Sequence, residues 1–110
     1  MKGEIKYSME ELYLQIDDLI QALLIPARVE KKIDKTTLEK FYSILQELEK
    51  KMKDQEMIPR KIAGILFFIY TSLVDEAQYC RYDDELFIAT ARIGDIIDRI
   101  LWDSPFKQYE

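Results

Sequence analysis

The chain carries few side chains suited to catalysis. It has no histidine, and so lacks the commonest general base, the commonest nitrogen ligand for metals and the usual switch near neutral pH. Its single cysteine, Cys80, has no partner for an intramolecular disulfide and cannot build a cysteine-based zinc site. Carboxylates remain. Asp17-Asp18 runs on as Leu-Ile-Gln, so a D-D-x-x-D metal run is not completed and the pair reads as a solvated helix face. Asp95-Ile-Ile-Asp98 is one acid pair at helical spacing. An all-carboxylate magnesium site of the kind that processes nucleotides needs E-x-x-E on one helix facing E-x-x-D on the next. No such facing pair accompanies Asp95 and Asp98. Histidine-dependent carboxylate metal sites of helical bundles are unavailable. No catalytic residue, metal ligand or cofactor site is therefore assigned.

One stretch has chemistry of another kind. Between Asp75 and Glu85 the chain interleaves acids with tyrosines: Asp75, Tyr79, Tyr82, Asp83, Asp84 and Glu85. Phe68 falls on the same helical flank as Asp75 and Tyr79, through Ser72. Acids in the first turn of a helix are stabilised by its dipole, which accounts for Asp83, Asp84 and Glu85 without any function, with Asp83 as N-cap. It does not account for two tyrosines among them. Tyrosine gives large contact area at small entropic cost and is enriched at interface centres.

Charge sharpens this picture. Residues 1–61 hold 12 acids and 12 bases, and residues 62–110 hold 9 acids and 4 bases, so the net charge of −5 lies in the second half. That half repels a phosphate backbone, and no basic stripe elsewhere compensates. A recognition helix would present Arg, Lys, Asn or Gln, whereas the last helix offers Arg92 and Arg99 against Asp95 and Asp98. Nucleic acid is an unsuitable partner and a basic protein a suitable one.

The elements that must position these residues are helices. At 110 residues, with 48% apolar side chains, three Gly and three Pro, the chain is expected to form one all-α domain with a single core. No secretory signal opens it and no apolar run reaches the roughly 20 residues a membrane span requires, so a cytoplasmic location is the expectation. Ser8-Met-Glu-Glu11 is a capping box. Behind it Met9, Leu12, Tyr13, Ile16, Leu19, Ile20, Leu23 and Leu24 share one face, until Pro26 stops or kinks the helix. Val29 and Ile33 allow a short extra turn within 26–35. Thr36-Thr-Leu-Glu39 reads as a second capping box, followed by a narrow seam of Leu38, Phe41, Leu45, Leu48 and Met52.

The organising stretch is Ile62 to Val74, thirteen residues without a charge. Pro59 suits its first turn, and Met57 is placed to staple onto Ile62. Ile62, Leu66, Ile69, Tyr70, Leu73, Ala77 and Cys80 form a core face, extended by Phe67 and Val74. Gly64, Phe68 and Thr71 lie on the far side. Either this helix is the hub that the others surround, or its back is covered by a second chain or a partner. In the last helix Leu86, Ala89, Thr90, Ile93, Ile96, Ile97, Ile100 and Leu101 face the core. Phe87, Ala91 and Gly94 form an adjoining stripe, and Asp95 and Arg99 are spaced for an ion pair.

The reading is an antiparallel up-down-up-down four-helix bundle with helices near 8–25, 36–54, 59–80 and 84–102, frayed tails at 1–7 and 104–110, and Phe106 and Tyr109 free to fold back or bind. The functional expectation is a non-enzymatic protein-binding module. It would bind, and by binding inhibit, a basic protein through Phe68, Asp75, Tyr79, Tyr82, Asp83, Asp84 and Glu85. Toxin immunity proteins are of this physical type, though no motif places the chain among them. The alternative is a homodimer through Gly64, Phe67, Phe68 and Thr71. A magnesium-dependent nucleotide-processing enzyme is the third reading.

Overall fold

The computed structural model describes residues 7–102. The tail aromatics Phe106 and Tyr109 lie outside them. Four helices follow one another with no strand among the described residues: α1 Met9–Glu30, α2 Lys35–Met52, α3 Arg60–Ala77 and α4 Glu85–Leu101. They form the expected four-helix bundle, and each runs opposite to the one before it. Around the ring, however, the order is α1, α2, α4, α3. The packed neighbours are α1 with α2, α2 with α4, α4 with α3, and α3 with α1. Residues 53–59 therefore carry the chain across a diagonal.

Directions are fixed by ion pairs. Lys61 near the start of α3 pairs with Glu10 near the start of α1, and Lys31 just past α1 pairs with Glu76 near the end of α3 at 2.7 Å. So α1 and α3 are parallel. Lys35 pairs with Glu85 at 3.4 Å and Arg99 with Glu49 at 3.1 Å, which makes α2 and α4 parallel in the same way.

Local signals set the helix ends. The Ser8 hydroxyl accepts from the Glu11 N–H at 3.1 Å while Glu11 Oε1 accepts from the Ser8 N–H at 2.9 Å, the expected box. Pro26 does not stop α1, which runs to Glu30, so the residues after it extend α1 and form no separate turn. A proline in a helix leaves the carbonyl four residues back without its donor. Here that residue is Ala22, which is exposed, so water can take the donor's place. The buried side chains of Ala27 and Ile33 hold the chain beyond it. Lys31 then ends the helix in the left-handed region, at φ 56°, and Lys32 N–H reaches back to Pro26 O at 3.2 Å.

The box expected at Thr36 is not used. Asp34 caps α2 instead, its Oδ2 accepting from both the Thr37 N–H (3.0 Å) and the Thr37 hydroxyl (2.6 Å). A carboxylate is the stronger acceptor and starts the helix two residues earlier. Met57 is exposed and staples nothing; Ile58 packs on the core in its place. Asp84, not Asp83, is the N-cap of α4. Arg99 reaches Glu49 on α2 and not Asp95 on its own helix.

The core is the inner face of all four helices. Leu12, Ile16 and Leu23 meet Phe41, Leu45 and Leu48, then Ile62, Leu66, Ile69 and Leu73, then Leu86 and Ile93, all essentially without solvent contact. Each such side chain contributes about 1.5–3 kcal/mol. Ile44 and Ile65 join this core although the periodic reading omits them, and Leu101 leaves it. Thr90 is the polar exception in α4, its hydroxyl donating to Leu86 O at 2.7 Å. No described helix is long and apolar enough to cross a membrane.

Candidate protein interface

Helix α3 is not the hub. It takes one corner of the square, with α1 on one side and α4 on the other, and no helix among the described residues covers its back. Phe67 and Val74, expected to extend the core, face solvent. At 100° per residue Phe67 projects toward the α4 side and Phe68 toward the α1 side, with Gly64 and Thr71 between them. Phe67 is 66% exposed and Phe68 53%. A Cβ added to Gly64 would meet nothing within 4 Å, so the fold itself supplies no reason for this glycine. The Thr71 hydroxyl donates back to Phe67 O at 2.9 Å, which satisfies it within the helix. The result is an outward strip with no charge between Lys61 and Asp75.

The ends of the strip are charged. Lys61 is already engaged, paired with Glu10 and lying 4.7 Å from the Tyr13 ring centroid. Arg60 and Asp75 are exposed and form no ion pair among the described residues. The sequence reading points to Gly64, Phe67, Phe68 and Thr71 as a dimer face. It misses Arg60, whose only signal is its place two residues before the uncharged run.

The tyrosine corner lies where α3 ends and α4 begins. Tyr79 is 73% exposed and Tyr82 77%. Asp75, Asp83, Asp84 and Glu85 are exposed as well. Their charge is largely met at home. Arg81 Nε sits 3.3 Å from Asp83, Lys35 holds Glu85, and Lys31 holds Glu76 while its ammonium lies 5.5 Å from the Tyr79 ring centroid. Asp84 turns its carboxylate onto the Arg81 N–H at 2.8 Å, closing the 81–84 turn. Asp75 and Asp84 are the two acids of the corner left without an ion pair among the described residues. Lys31, which ties this corner together, carries no signal in the sequence, because its partners Glu76, on α3, and Tyr79, in the turn after it, stand far along the chain.

The residues grouped by sequence thus fall into two places. Phe68 lies two helical turns, about 10 Å, from Asp75, and farther from Tyr82, Asp83, Asp84 and Glu85. It belongs with Gly64, Phe67 and Thr71. Asp75 joins the two areas.

The thiol beside the corner is quiet. Burial pushes the Cys80 pKa up, Asp84 and Glu76 add to that, and Lys31 opposes it. Its Sγ donates to Glu76 O at 3.8 Å. A thiol held protonated is a poor nucleophile. Asp95 and Asp98 are exposed on α4, and among the described residues no group of three or more Cys, Asp or Glu is arranged to hold a metal ion. What this surface offers is contact: two phenylalanines, two tyrosines and a few free charges.

Compared with known protein families, curated proteins and solved structures, the chain matches none.

Proposed function

We propose that the protein is a non-catalytic protein-binding module. Its interface is the outward face of α3, continued through Asp75 into the tyrosine corner. The observation that carries this reading is the pair Phe67 and Phe68, both more than half exposed on a helix face without charge. A contiguous apolar patch with a polar rim is the usual mark of a protein contact. Tyr79 and Tyr82 enlarge it with side chains that lose little entropy when fixed.

A second reading gives the corner a partner of its own, a basic protein that is bound and thereby inhibited. Asp75 and Asp84, free of ion pairs beside two exposed tyrosines, favour it. The internal pairing of Asp83, Glu76 and Glu85 limits its electrostatic reach, so the phenylalanines rank first.

The test is capture by the immobilised protein from a lysate of its source cells. The double substitution Phe67→Ser, Phe68→Ser should leave the helical circular dichroism intact and remove the captured protein. Tyr79→Ala with Asp84→Ala should weaken capture, and more so at low salt if the partner is basic. Unchanged capture by the phenylalanine variant would show that the α3 face is not the interface.

A further inference from the structure

The charges at the two ends of the α3 face are opposite and equidistant from its aromatic centre. Arg60 stands at the first residue of the helix and Asp75 near the last turn. Their midpoint falls between Phe67 and Phe68, about 11 Å from each at 1.5 Å per residue. Gly64 and Thr71 are placed symmetrically about the same point. A surface of this kind complements itself when turned end for end, which is the requirement of a two-fold interface.

We infer that the occupant of this face is a second copy of the chain, docked with its α3 antiparallel to the first. This rests on the reading of α3 as the interface and names its partner. In this register Arg60 of each copy meets Asp75 of the other, so the dimer gains two ion pairs and each free charge of the face finds one partner. Phe67 and Phe68 lie at the two-fold axis. Gly64 comes opposite Thr71, and the missing Cβ lets the backbones approach. That gives a use to a mid-helix glycine which nothing inside the fold contacts. A parallel pairing would instead set Arg60 against Arg60 and Asp75 against Asp75, and like charges placed across an interface are repulsive.

The basic-partner occupant fits the strip less well. Only Asp75 would attract it, while Arg60 at the other end, free of an ion pair among the described residues, would repel it.

Sedimentation of the full chain and of two charge reversals decides the matter. The wild type should pass from monomer to dimer mass on raising the concentration from about 1 to about 100 μM. Arg60→Asp and Asp75→Arg, both at exposed positions, should fold normally, and each alone should raise the dissociation constant about tenfold or more. Mixed in equal amounts they should form a heterodimer close to wild-type strength. At one end the acid introduced at position 60 then faces the base introduced at position 75, and the other end keeps the native pair of Arg60 with Asp75. A wild type that stays monomeric at about 100 μM overturns this inference, and so does a mixture no tighter than the separate variants. In either case capture lost on changing Phe67 and Phe68 would still support the α3 interface, now with a different protein as its occupant.

Discussion

The two described glycines, Gly64 and Gly94, occupy helix interiors for opposite physical reasons. A Cβ at Gly94 would lie 2.7 Å from Tyr70 Cε1, so α4 dispenses with a side chain to let the Tyr70 ring lie against it. In the sequence the stripe of Phe87, Ala91 and Gly94 reads as a place for a neighbouring helix to approach, and the neighbour proves to be α3 through that ring. Gly64 has only open space around it. Alanine there should therefore stabilise the dilute monomer by about 1 kcal/mol, the helix-propensity gain with no steric cost. Gly94→Ala gains the same propensity but must displace the ring, and should end destabilised, since overpacking costs about 1–3 kcal/mol. Urea unfolding at low protein concentration measures both. Equal effects at the two sites would mean that Tyr70 swings aside freely and that the α3–α4 contact is loose.

Among the elements, α2 depends most plainly on one cap. The Asp34 carboxyl is held below its ordinary value of 3.8, first by the Thr37 hydroxyl and then by the Thr37 N–H. Glu11, in the box of α1, is lowered in the same way by the Ser8 N–H and hydroxyl. A carboxylate with a depressed folded-state pKa contributes stability above its unfolded value, and that contribution is lost as pH falls through the folded value. The window therefore lies below about pH 4. Asparagine also caps helices well but does not titrate there. Asp34→Asn should thus match the wild type at neutral pH and lose stability less steeply on acidification, with Glu11 still supplying part of the slope. Stability from urea titrations between about pH 5 and pH 2 checks this, and an acid slope identical to the wild type would show that Asp34 is not ion-dependent in its role. The helices themselves are legible in the sequence because their apolar residues recur at 3.6: Leu12, Ile16 and Leu23, or Leu86, Ile93 and Ile97, can share a face in no other conformation. The ends are less so. Thr36 with Glu39 spells a capping box as well as Ser8 with Glu11 does, and only the competition with a nearby carboxylate decides between Thr36 and Asp34. Periodicity assigns Phe67 and Val74 to the core because it registers hydrophobicity, not coverage. Whether a greasy flank is covered depends on which helices sit beside it, and that is not a local property.

The arrangement of the whole bundle is beyond the reach of periodicity for the same reason. Helices of similar length with short links alternate in direction whatever their order around the ring, and α1, α2, α3, α4 in succession would have buried the same stripes. What separates that ring from the one found is charge across non-sequential neighbours. The four described ion pairs that join two different helices or their caps are Glu10 with Lys61, Lys31 with Glu76, Lys35 with Glu85 and Glu49 with Arg99. All lie between the parallel partners, one near each end of α1 with α3 and of α2 with α4. Singly, such exposed pairs contribute little. Together they favour the observed order, because in the sequential ring each of these residues would face its partner across a diagonal. The ring order also sets what flanks the bare back of α3, which has α1 on one side and α4 on the other. Double-mutant cycles test the contribution of these charges directly. Lys31→Ala with Glu76→Ala, and Glu49→Ala with Arg99→Ala, should each give a coupling of about 0.2–1 kcal/mol, with the half-buried Lys31–Glu76 pair the larger and both reduced at high salt. The single Lys31→Ala change also alters a residue in the left-handed region, and the cycle removes that contribution because it is common to both of its arms. A coupling of zero at both pairs would mean that these charges do not favour the order, which then rests on the packing of the apolar faces alone.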